Sequence, residues 1–233
     1  MKFDKVKNAL NETKQAKKLT KKMVAGEFGY FLTDKGFVRH KSNVYIRISD
    51  QHIIQNITFE FLPSGFTCAV AIQPLYIYDH EASTFLHLTF GNRIGRLKVV
   101  QSELWQYDEN VKGIAEIKEL LSKNGLPWFE QYATPEGIID FISNGKVKAY
   151  GLWLNEFFQK QYQGFSLLYT GHIDEGIQSL QDMLGEISES AVAFMKEYRI
   201  QVIELIDKVK ENPDDVTSIF YDIIRKNRIA LKV

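Results

Sequence analysis

Between Val44 and Phe90 apolar and polar residues take turns along the chain. Ile57, Phe59 and Phe61 alternate with Thr58 and Glu60, the period-two pattern of a strand with one face on a core and one toward solvent. Pro63, Ser64 and Gly65 break the run; proline presets φ and glycine tolerates positive φ, so the three suit a tight reversal. The return strand carries Phe66, Cys68, Val70 and Ile72 on one face and Thr67, Ala69, Ala71 and Gln73 on the other. Pro74 ends it, because proline cannot donate to the ladder. Upstream, Val44, Ile46 and Ile48 alternate with Tyr45 and Arg47; downstream, Leu86, Leu88 and Phe90 alternate with His87 and Thr89. The pattern predicts a meander of about four antiparallel strands, with residues 37–40 as a short further one.

Outside that stretch the period lengthens. Residues 4–34 contain no proline, and Val6, Leu10, Leu19, Met23 and Phe28 suggest the apolar stripe of a helix closed by Lys35 and Gly36. Ile114, Ile117, Leu120 and Leu121 predict a helix from near Val111, stopped by Asn124 and Gly125 ahead of Pro127. Thr134 is placed to cap the next helix, with Pro135 at its first position, and Asn144-Gly145 to end it. Phe158, Tyr162, Phe165 and Tyr169, then Ile173, Ile177, Leu180, Leu184 and Ile187 after Gly171, predict an antiparallel helical pair. That pair resembles one tetratricopeptide unit, but such arrays stack several copies and no second copy follows, so it reads as an ordinary helical hairpin. Ser190 is expected to cap a third helix striped by Ala191, Phe194, Tyr198, Val202, Leu205 and Val209, which Asn212-Pro213 stops. Asp214 or Asp215 starts the last, through Ile219, Phe220, Ile223 and Ile224. The expected fold is α+β: an antiparallel sheet of about four or more strands packed on helices over residues 1–149, then a helical region over 150–233.

A chain of 233 residues can bury a proper core without staples. With 45% hydrophobic and 25% charged residues it has an ordinary globular composition, and no apolar run approaches the roughly 20 residues of a membrane span. The first residues show no apolar stretch after their charges, so no secretory signal is expected. Cys68 is the only cysteine, which excludes an internal disulfide and fits a reducing cytoplasm. On the apolar face of a strand it reads as an inert core thiol.

Charge redraws this bland picture. The formal net charge is zero, yet residues 1–22 hold eight lysines against Asp4 and Glu12, while residues 171–224 hold twelve acids against Lys196, Arg199, Lys208 and Lys210. A basic helix can meet phosphates, and an acidic helical face can meet a basic partner. Nucleic-acid binding is disfavoured, since the basic arm has no arginine and only Phe3 to stack a base.

Candidate chemistry is sparse. Asp79, His80, Glu81 and His87 form the densest titratable cluster, but their spacing matches neither a helical zinc pair nor a cysteine knuckle, so no metal and no cofactor are expected. An enzyme using His80, Glu81 and Arg93 is the alternative. No nucleophile elbow, phosphate-binding loop or dinucleotide fingerprint is present, and no catalytic residue is assigned. Tyr45, Arg47, Gln55, Gln73 and Arg93 are the candidate binding residues, gathered on the solvent face of a sheet whose other face meets helices, where arginine forks suit carboxylate or phosphate. Trp105 joins them as a candidate, although tryptophan more often serves a core or junction. The favoured function is a non-catalytic module that binds another protein, for instance neutralising a basic toxin. The weakest alternative is a nucleic-acid binder using the lysine-rich first helix.

The run Gly36-Phe37-x-Arg39, then Tyr45-x-Arg47, then Gln55 ahead of an apolar hairpin, then Arg93-Ile94-Gly95-x-Leu97 and Trp105 resembles the bacterial domain-of-unknown-function 4304 family over about residues 20–145. Where that family carries an acidic and aromatic pair near the tryptophan, this chain has Trp105-Gln106-Tyr107. The resemblance implies a compact α+β domain in a cytoplasmic bacterial protein and no particular activity.

Overall fold

The computed structural model describes residues 2–78, 89–97, 104–152, 154–187 and 192–233, with side chains from Asn11 onward. By contact the chain falls into two compact units: Met1–Arg47 with Gln55–Ala71 and Gly91–Trp128, and Ile48–Ile54 with Ile72–Phe90 and Phe129–Val233.

The first unit holds helix α1 (Lys2–Asp34), strand β1 (Val38–Lys41), most of strands β2 (Val44–Ile48), β3 (Ile53–Leu62), β4 (Gly65–Pro74) and β5 (Phe90–Arg93), and helix α2 (Asn110–Leu120). The strands lie in the sheet in chain order, an antiparallel meander, with Val38 opposite Ile46 and Arg39 opposite Tyr45. The expected Leu86 and Leu88 positions lie outside the described residues. The strand at that edge instead runs through Gly91. Gly91 crosses β4 so closely that a Cβ there would run into the Val70 carbonyl and the Ala71 side chain, and glycine is what permits that approach.

Along α1 the buried positions are Thr20, Val24, Phe28 and Leu32, four apart and therefore on one helical face. Phe28 lies against Phe59 of β3, ring centroids 4.6 Å apart. Leu19, expected in this stripe, is 54% exposed. The core takes Thr20 in its stead, whose hydroxyl donates to the Ala16 carbonyl at 2.9 Å and so enters without an unmet donor. Helix α2 does not stop at Asn124 and Gly125. A π-helical turn, Leu121–Gly125, carries it straight into α3 (Leu126–Tyr132), with the Leu126 N–H reaching back to the Leu121 carbonyl. The ladder shifts register just before Pro127, which has no N–H to give. Gly125 packs rather than caps: a Cβ there would stand 2.9 Å from Ile94 Cδ1.

The second unit holds α4 (Pro135–Ser143), α5 (Lys146–Ala149), α6 (Glu156–Tyr169), α7 (Ile173–Gly185), α8 (Ala193–Glu211) and α9 (Val216–Leu231). The Thr134 hydroxyl accepts the Gly137 N–H at 2.9 Å, the expected cap of α4. Helices α6 and α7 form the expected hairpin, turning at Gly171 with φ +85. Glycines bring them close: a Cβ on Gly164 would stand 2.8 Å from Leu180, and one on Gly176 2.7 Å from Leu168. At the centre, the buried Tyr76 shares a 3.0 Å hydrogen bond with Ser166 and stacks on Tyr169, centroids 4.3 Å apart. Helix α8 begins three residues beyond Ser190, which lies outside the described residues, and its flanking Val192 makes no side-chain cap. Phe194, expected inside, is 47% exposed; the buried stripe starts at Tyr198 and continues through Val202, Leu205 and Val209.

Candidate functional site

On β4 the proposed solvent face is not there, whereas on β3 Thr58 and Glu60 are half-exposed between the buried Ile57 and Phe59. All ten positions of β4 are buried, even and odd alike, so neither face of that strand is wet. Tyr45 is 1% exposed and meets Phe59 edge-on at 6.1 Å. Burial raises its phenol pKa, and its hydroxyl has no hydrogen-bond partner among the described residues. It is a core residue.

Arg47 and Gln55 do converge. The Arg47 Nε donates to Gln55 Oε1 at 2.7 Å and an Nη to the Lys35 carbonyl at 3.0 Å, while the guanidinium lies 4.8 Å from the Phe37 ring centroid. Two donors are thus committed to the protein and one face to an aromatic ring, an arrangement that ties β2 and β3 to the end of α1. Arg93 stands apart. Its Nη2 pairs with Glu60 Oε2 at 3.3 Å, and Glu60, five residues beyond Gln55, faces the other side of β3. Trp105 forms an antiparallel bridge with Phe66 and donates from Nε1 to Glu116 at 2.7 Å, a junction role. Of the six candidates, Gln73 alone lines the larger-walled cavity described below.

Asp79, His80, Glu81 and His87 lie outside the described residues. Among the described residues no three histidine, cysteine or carboxylate groups gather closely enough to hold a metal ion. Cys68 is fully buried, and burial pushes its thiol pKa far above the usual range, with the charge of Glu60 adding to the shift. A thiol held neutral is a poor nucleophile.

Among the described residues, a concave feature with a full lining belongs to the helical unit. It is a cavity of about 490 Å³ walled by Leu75, Ile77 and Tyr78 beyond β4, by Phe158, Gln161 and Tyr162 of α6, by Gln201, Glu204 and Lys208 of α8, and by Ile223, Lys226, Asn227, Ala230 and Leu231 of α9. Two carboxamides organise it. Asn227 donates from Nδ2 to the carbonyls of Leu75 and Ile77, both at 2.8 Å, and so fastens the extended segment to α9. Gln161 is 2% exposed; its Nε2 donates to the Tyr198 hydroxyl at 2.6 Å and more weakly to the Tyr78 carbonyl at 3.4 Å. Burial raises the Tyr78 phenol pKa, and the charge of Glu204 raises it further. In the first unit a second hollow of about 690 Å³ lies between α1 and α2, with Met23, Ile114 and Ala115 in its lining and Glu27 and Lys118 at its side, those two joined as an ion pair.

Sequence reading passed over Gln161 and Asn227. One signal was there: Asn227 occupies the apolar stripe of Phe220, Ile223 and Leu231, and Gln161 lies between Phe158 and Tyr162 in the stripe of α6. A carboxamide in a helical core stripe has to find partners.

On α7, α8 and the turn after it, Asp174, Glu175, Glu197, Glu204, Asp207, Glu211, Asp214 and Asp215 are exposed, and none is in an ion pair among the described residues.

The chain is thus an α+β protein with a lined cavity in a helical unit. No family model, curated protein or solved structure matches it, so the likeness to the domain-of-unknown-function 4304 family rests on its short motifs alone.

Proposed function

We propose that this chain is a non-catalytic binding module that engages another protein through its helical unit, with a group of the partner seated in the cavity between α6, α8 and α9. The observation that carries this reading is the cavity itself: about 490 Å³, with aliphatic and aromatic walls and a few polar groups among them, the usual make-up of a ligand site. The unpaired acids of α7 and α8 suit a basic partner, approached by long-range attraction. Cytoplasmic residence is part of the proposal, motivated by a fold whose lone cysteine is buried and which therefore uses no disulfide. Neutralisation of a basic toxin is one role of this kind.

The test uses Nile red, a neutral apolar dye. Saturable fluorescence with the native protein is expected, lost in Ala230→Trp, which fills the mouth from an exposed position of α9, and displaced by apolar peptides. Equal dye binding by wild type and Ala230→Trp, or none by either, overturns the proposal.

A further inference from the structure

Resting on that reading of the cavity, we infer that the site selects a ligand with an apolar body and amide-type N–H donors, and not an acid. The inference comes from which half of each carboxamide is already spent. Backbone carbonyls can only accept, so the end of Asn227 that faces Leu75 and Ile77 at 2.8 Å is its NH2 group, and both of its protons are used. The same logic sets Gln161, whose Nε2 faces the Tyr78 carbonyl and the Tyr198 hydroxyl. What remains on each is a carbonyl oxygen without a partner among the described residues. Gln161 is only 2% exposed as a residue, yet its Oε1 is not one of the enclosed unsatisfied atoms, so that acceptor stays reachable from the cavity the residue lines.

The two carbonyl acceptors on the α6 and α9 walls are held in place by the spent ends of their own carboxamides, whereas Lys208 and Lys226 carry their donors on flexible stems. Hydrogen bonding then discriminates by proton count. An amide supplies N–H groups; an ester of the same shape supplies none, and a carboxylate turns further lone pairs toward lone pairs. Lys208 and Lys226 also line the cavity and carry no ion pair among the described residues. They are the reason the carboxylate is the decisive competitor: if ammonium groups governed recognition, the acid would bind best. A peptide segment bearing a large apolar side chain and a free small-molecule amide share the required chemistry.

The experiment titrates the 233-residue chain by calorimetry with three compounds of one skeleton: 3-phenylpropanamide, methyl 3-phenylpropanoate and 3-phenylpropanoate. The amide is expected to bind about tenfold or more tightly than the ester, with the carboxylate weakest, and Ala230→Trp to abolish all three. A second arm identifies the source: acetyl-Leu-Phe-Leu-amide binding more tightly than 3-phenylpropanamide marks a peptide ligand, and weaker binding a free molecule. Equal affinity for amide and ester, or tightest binding of the carboxylate, overturns the inference while leaving the cavity as a site. No binding by any of the compounds overturns the inference. Failure of Nile red as well overturns the site with it.

Discussion

Replacing Gly164 by alanine puts a methyl group 2.8 Å from both Cγ and Cδ2 of Leu180 and 3.2 Å from the Gly176 carbonyl. Two opposing effects then decide stability. Alanine is favoured over glycine in a helix interior by about 1 kcal/mol. Pressing a methyl into a filled contact costs about 1–3 kcal/mol, and Leu180, at 0% exposure, has no solvent side to retreat to. The net expectation is a loss of roughly 0–2 kcal/mol. Leu180→Ala alone should cost about 2–5 kcal/mol through the void it leaves. Together the two changes relieve each other, because the new methyl enters the vacated space. The double variant should therefore be more stable than Leu180→Ala alone, with a coupling of about 1–3 kcal/mol. Urea melts followed by far-ultraviolet circular dichroism on the four proteins measure it. Additivity within about 0.5 kcal/mol refutes the close approach of α6 and α7 on which the position of Gln161 depends.

Further outcomes follow from single contacts. Tyr76→Phe leaves the buried Ser166 hydroxyl without its 3.0 Å partner, so either Tyr76→Phe or Ser166→Ala should cost about 1–3 kcal/mol and the pair less than their sum, read by the same melts. Arg47→Met removes the bonds to Gln55 and the Lys35 carbonyl and should lower stability by about 1–2 kcal/mol without changing Nile red affinity; a lost dye signal at full folding would restore Arg47 as a binding residue. Native Cys68 should resist a disulfide thiol reagent and react at the rate of unfolding, since burial holds it protonated. His52 has its pKa lowered by burial first and by the charge of Arg228 second, against an opposing effect of Asp50. Below the ordinary value near 6.5 the unfolded chain takes up that proton before the folded one. The contribution of His52 to stability should thus be present above that value and be lost as pH falls through it. His52→Asn, which tolerates the positive φ of 60 at this position, should flatten that slope in melts taken from pH 7 to pH 5.

Much of the architecture could be read from period and punctuation. The alternation around Ile57 and Phe59, the Thr134-Pro135 start of α4 and the Gly171 turn each appear where expected, because local geometry dictates them. Gly125 misled because it serves packing: it looks like a helix stop in one dimension and is a close approach to Ile94 in three. The wet face of β4 failed for a related reason. Thr67, Ala69, Ala71 and Gln73 are small or polar enough to face solvent, but alternation says only that two faces differ, not that one is exposed. The carboxamides at 161 and 227 show the limit of such reading. Their meaning depends on carbonyls supplied by distant residues, and no local pattern records those.

The two hydrogen bonds from Asn227 span 152 and 150 residues of sequence, and α9 supplies one wall of the cavity. During synthesis on the ribosome, the extended segment after β4 therefore emerges long before the amide that fastens it, and a nascent polypeptide lacking α9 has an open-sided hollow. Binding competence should arrive only once α9 has emerged, as a step rather than by degrees. Chaperones that cover apolar surface would find their target in the interval before that clasp closes.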